Sequence, residues 1–222
     1  MPHAFIIPLV LYILGTSLIS NLPLEWYPIT YAVVVAIVAT ACWFLIRKEG
    51  IIKPHGRVLI GIVTGLIGVF LWILVSHLHL EDLLSTILPE SLRPLARVSY
   101  NPFENLESSL AQWSFIGVRL LGIALVVPVI EEVFWRGFLM RWLINPDWRQ
   151  VPIGQFTAGS CATLCGLFAL AHPEWFAAAA YCLLLNGLLY WKRDLWLCIV
   201  AHATSNLVLV MYVLTTKNWW LW

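Results

Sequence analysis

Long apolar runs separated by short polar connections run the length of the chain. A bilayer's hydrocarbon core is about 30 Å thick, and a helix needs about 20 mostly apolar residues to cross it. Seven stretches meet that demand: 4–20, 26–46, 58–80, 112–141, 152–172, 175–191 and 195–215. The fourth is too long for one straight span. Pro128 within it predicts a kink or a division in two, which would raise the count to eight. The sixth is short for a span. The pattern predicts an all-α fold, a polytopic membrane bundle of 7–8 transmembrane helices in one integral domain over residues 1–222.

The connection from Glu81 to Gln112 is the longest polar stretch, with Pro89, Pro94, Asn101 and Pro102 among short apolar runs. It predicts a loop carrying a short interfacial helix. Trp26, Tyr27, Trp142, Trp148, Tyr190, Trp191, Trp219, Trp220 and Trp222 gather at the ends of the runs. Amphipathic rings settle at the headgroup level in this way.

Basic residues refine the topology, because short cytoplasmic loops are enriched in Lys and Arg. Arg47, Lys48, Lys53 and Arg57 follow the second run, Arg136, Arg141 and Arg149 surround the end of the fourth, and Lys192 and Arg193 follow the sixth. With seven alternating helices all three groups fall on one side, which places the N-terminus in the cytoplasm and the C-terminus outside. His3 leads directly into apolar residues with no basic segment or cleavage site, so the first run reads as a retained helix.

Composition agrees with a membrane setting. Hydrophobic residues are 61% of the 222 and charged ones 11%, with a mean hydropathy of +0.84. A soluble domain carries roughly 25% charged residues. A net charge of +1 offers no footprint for nucleic acid. The partner is the lipid bilayer itself. Five cysteines (Cys42, Cys161, Cys165, Cys182 and Cys198) are odd in number and lie in apolar runs, so they read as free thiols packed as small hydrophobes.

Three polar clusters interrupt the apolar runs. The first is Glu131-Glu132 with Arg136. An ionised carboxylate near the bilayer centre costs at least ~2.5–3.5 kcal/mol, so such groups default to a functional reading. Glu132 and Arg136 are four apart and share a helix face, which predicts an ion pair. Glu131 is rotated about 100° away and is free to face a cavity, where it would suit a general base. The second cluster is Phe168 with His172, just before Pro173. The third is His202 with Asn206, four apart and able to address one small ligand. Singly, each histidine or asparagine reads as an interhelical hydrogen-bonding group, worth about 0.6 kcal/mol.

Together, two carboxylates, two histidines and an asparagine on three helices supply what a buried water-activating site needs. No H-E-x-x-H occurs, so the chain is not an ordinary zincin. No Asp lies within a run, against an aspartyl intramembrane protease, and no G-x-S-x-G supports a serine site. A C-x3-C pair with His172 matches no ordinary structural zinc site.

In order, E-E-x-x-x-R, F-x-x-x-H and H-x-x-x-N resemble the motifs of the CAAX-protease and bacteriocin-processing (CPBP, or Abi) membrane proteases. The resemblance covers residues 112–210 as a catalytic core; the three helices within 1–80 carry no motif. It implies that Glu131 activates water, that His172, His202 and Asn206 surround it, and that Glu132 and Arg136 orient the site or engage the substrate terminus. Zn2+ held by Glu131, His172 and His202 is one implied arrangement, but Glu131 could not then readily serve as base. A metal-free glutamate mechanism is the other.

The implied activity is intramembrane hydrolysis of a peptide bond near the terminus of a protein or peptide, lipidated or otherwise membrane-associated. It would serve CAAX-box processing, peptide maturation or protein sorting in a prokaryotic plasma membrane. His172 falls near the outer end of its run, while Glu131 and His202 lie nearer the inner side. For all to meet, that helix must end within the membrane, beside a cavity. The rival readings are a proton-coupled transporter using the same groups as a relay, and an inactive scaffold. Transporters commonly carry interrupted helices in both halves; here the buried charge is confined to the second.

Overall fold

The computed structural model describes residues 2–89 and 99–222. Pro94, part of the expected loop, lies outside them. Eight helices account for most of the rest: α1 (His3–Ile19), α2 (Leu24–Glu49), α3 (Leu59–Ser76), α4 (Leu80–Ile87), α5 (Ser109–Trp142), α6 (Ala158–Leu170), α7 (Trp175–Lys192) and α8 (Leu195–Thr216). No strand occurs among the described residues. Helices α2, α3, α5 and α8 are long and apolar enough to cross a membrane, and α1 and α6 are shorter apolar helices. The all-helical membrane bundle read from the pattern is the observed fold.

Side-chain caps explain several starts. Ser108 accepts from the Ala111 N–H at α5, Thr157 from Ser160 at α6, and Asp194 from Trp196 at α8. Each satisfies one of the backbone donors that a first turn leaves unpaired. Expected and observed bounds differ in two places. The run 58–80 divides, because α3 stops at Ser76 and His79, at φ 48°, turns the chain into α4. The run 152–172 yields only the 13 residues of α6, since Gly154 at φ 77° keeps the preceding segment in a turn.

Helix α5 answers the question posed by Pro128. It is one helix of 34 residues, about 50 Å long. Two wide, π-type segments, Gly122–Val126 and Val133–Leu139, flank the pair of glutamates. In such turns an N–H bonds five residues back: Val127 to the Gly122 carbonyl, and Met140 to that of Trp135. Single wide turns of this kind are frequent at functional sites.

The bundle keeps its polar groups inside and presents apolar ones outward. Leu14, Leu18, Phe70 and Leu110 are exposed, while Arg119, Glu131, Glu132, Arg136, Asn186, His202 and Ser205 are buried. Helix α3 lies close against α8 and α7 through Gly61, Gly65 and Gly68. A Cβ at Gly61 would stand 2.9 Å from the Leu197 carbonyl oxygen, and one at Gly65 2.7 Å from Thr204 Cβ. Small residues at this spacing let backbones approach in a membrane, where no hydrophobic force drives helices together. Ser205 uses that proximity to donate to the Gly65 carbonyl at 2.8 Å.

Candidate active site

Glu132 is the hub of the buried polar network. Its side chain is fully buried, and Oε1 accepts from Arg136 Nη1 at 3.0 Å and from His202 Nδ1 at 2.8 Å. The ion pair expected from the spacing of four is present. His202, expected around the water that Glu131 would activate, hydrogen-bonds through Nδ1 to the adjacent Glu132. This bond joins α8 to α5 across 70 positions of sequence.

Arg136 is also fully buried and spends its donors on α7. Nε donates to Asn186 Oδ1 at 3.1 Å, and Nη2 faces the carbonyl oxygen and Sγ of Cys182 at 3.4 and 3.2 Å. The guanidinium carbon stands 5.1 Å from the centre of the Phe168 ring, a favourable cation–π distance. A planar fork with five donors suits this position better than a lysine would.

His172 follows the end of α6. Its Nδ1 donates to the Phe168 carbonyl at 2.7 Å, and its ring stacks on Phe168 at 4.5 Å. Phe168 therefore touches both Arg136 and His172 and ties the first cluster to the second. Helix α6 is about 20 Å long, shorter than the ~30 Å hydrocarbon core, so it can end within the membrane as the meeting of these groups requires.

Both histidines have fixed tautomers. A carbonyl and a carboxylate only accept, so each Nδ1 carries the proton and each Nε2 is left for other work. Tyr181 and His202 form a T-shaped pair with ring centres 5.6 Å apart, and Trp72 and His172 another at 5.7 Å. Tyr181 OH donates to Ser205 Oγ at 2.9 Å, which fixes the phenol ring.

Glu131 contrasts with its neighbour. It is 9% exposed where Glu132 is fully buried, and it takes part in no side-chain hydrogen bond among the described residues; its Oε2, like that of Glu132, is buried without a partner. Leaving such an oxygen unpaired is costly, and orphaned groups in native structures call for an explanation. Asn206 Nδ2 donates to the Ile123 carbonyl at 2.9 Å. Among the described residues no group of three or more His, Cys, Asp and Glu is disposed to hold a metal ion.

Sequence reasoning missed Asn186, Cys182, Tyr181, Ser205 and the glycine face of α3. Asn186 was within reach, as the one amide side chain in the run 175–191. It accepts from Arg136 and donates toward Cys165 Sγ at 3.4 Å. All five cysteines are free.

Comparison with known proteins agrees with the ordered motifs. Residues 113–208 match the family model described as type II CAAX prenyl endopeptidase Rce1-like. No curated protein and no solved structure matches the chain.

Proposed function

From the premise that residues 113–208 form an Rce1-like CAAX-endopeptidase domain within a helical membrane protein, we propose that Glu131 activates water for peptide-bond hydrolysis. The substrate is a membrane-associated or lipidated protein or peptide, cut near its terminus. The observation that carries this reading is the contrast between the two glutamates. Oε1 of Glu132 is committed to Arg136 and His202, whereas no side-chain hydrogen bond engages Glu131 among the described residues; Oε2 is buried without a partner in both.

In the proposed reaction the Glu131 carboxylate takes a proton from water, and the hydroxide adds to the scissile carbonyl carbon. The protonated glutamate then passes its proton to the departing amine as the C–N bond breaks. The Nε2 atoms of His172 and His202 are the groups available to address the substrate or the tetrahedral oxyanion. Glu132 and Arg136 hold the His202 ring in its tautomer and keep a buried charge neutralised. Each of these steps is written with water and the side chains of this chain alone.

The test compares peptide termini in membranes of cells carrying the wild type with cells carrying Glu131→Gln. Termini that appear only with the wild type are expected, and they would identify the substrate class and the cleaved side. His172→Ala and His202→Ala should also abolish them while each protein still inserts and accumulates. Near-full cleavage by Glu131→Gln would remove Glu131 as the base.

A further inference from the structure

In its observed register helix α5 contains a backbone acceptor that no N–H of its own satisfies. In the wide segment Gly122–Val126, the Val127 N–H bonds to the carbonyl five residues back, at Gly122. The next bond in that register would run from residue 128 to the carbonyl of Ile123. Residue 128 is proline, which has no N–H. The Ile123 oxygen instead accepts from Asn206 Nδ2 of α8 at 2.9 Å.

We infer that Asn206 is a positioning residue: it supplies the donor that Pro128 lacks, holds the wide turn of α5, and thereby sets the rotation at which Glu131 is presented. The proposal rests on the reading of Glu131 as the base. Its physical basis is independent of the chemistry. Carbonyls freed by a proline in a membrane helix must be satisfied by a neighbouring group, because no lipid can do so. A wide turn carries one more residue than an α-turn, so its relaxation would rotate one side of α5 against the other by about 100°. Glu131 lies three residues beyond Pro128, within the short α-helical stretch Val127–Glu132 that separates the two wide turns.

The substitution Asn206→Leu removes the donor, and Pro128→Ala returns an N–H to the backbone. Two readouts are taken on the full-length protein in detergent or nanodiscs. The first is the rate at which a lipophilic carbodiimide modifies Glu131, followed by peptide mass spectrometry, which does not depend on proteolysis. The second is kcat and KM for the substrate identified by the terminus comparison. Asn206→Leu is expected to change the labelling rate of Glu131 and to lower kcat by ~10²-fold, the scale of a misplacement of about 1 Å, with KM little altered. In the Pro128→Ala background the same substitution should change neither labelling nor kcat by more than a few-fold.

An oxyanion donor lost from position 206 would cost ~10²–10³-fold in either background, and equal losses in both would overturn the proposal. An unchanged labelling rate in Asn206→Leu would overturn it as well. Pro128→Leu restores the same N–H and serves as the second background should Pro128→Ala fail to accumulate. If Glu131 is not the base, the labelling arm still reports on the positioning, so the two failures are told apart.

Discussion

Glu131 and Glu132 are adjacent, but their partners divide their duties. The spacing of four was enough to predict the Glu132–Arg136 pair, because residues so spaced share a helix face. His202 and Asn186 were not assignable to that pair by any local rule, since they arrive from 70 and 50 positions away along the chain. Removing one member of a fully buried pair strands the other charge and costs ~3–5 kcal/mol, mostly as a desolvation penalty left uncompensated. Glu132→Leu and Arg136→Leu should therefore each lower the thermal midpoint of the purified protein sharply. The double variant should lose little more than either alone, since it strands no charge. Tryptophan fluorescence during heating reads all three proteins. Fully additive losses would mean that the two side chains stabilise the bundle independently.

Helix existence was legible along the chain because a bilayer demands long apolar runs. Helix quality was not. Nothing in a hydropathy pattern distinguishes an α-turn from the wide turns at Gly122–Val126 and Val133–Leu139, which depend on what α8 and α7 offer in return. The first three helices carry no motif in the sequence, yet Gly61, Gly65 and Gly68 let α3 support the helix that carries His202. A Cβ at Gly65 would run into the Ala201 carbonyl, a backbone obstacle that cannot swing away. Gly65→Val should thus destabilise the protein by ~1–3 kcal/mol, the range for overpacking a tight contact. Gly166→Ala on α6, where a Cβ meets nothing within 4 Å, should leave the midpoint within a degree or two by the same heating measurement. Equal tolerance at both positions would show that the α3–α8 contact is not close-packed.

The basic connections read from the sequence meet at one end of the bundle. Arg149, beyond α5, bonds to Glu49 at the end of α2 at 2.8 Å, and His55, between α2 and α3, bonds to Asp194 before α8 at 2.7 Å. Phe5 near the N-terminus packs on Trp148 at that same end. The opposite end is held by different pairs: Tyr27 with Tyr100, Phe103 with Trp219, and Glu81 Oε1 accepting from the Phe176 N–H at the start of α7. Two chemically distinct ends are what an oriented membrane protein requires, and Lys and Arg in short loops select the cytoplasmic one. Single cysteines placed at the exposed Gly56 and Asn145 should consequently react with a membrane-impermeant maleimide only in inverted vesicles. Cysteines at Asn21 and Glu107 should react in intact cells. The native thiols lie in apolar segments and stay silent to such a reagent. Labelling of all four from one side would break the alternation of the helices. A clean reversal would leave the bundle intact but turn its basic end outward, against the placement of Lys and Arg in the short loops.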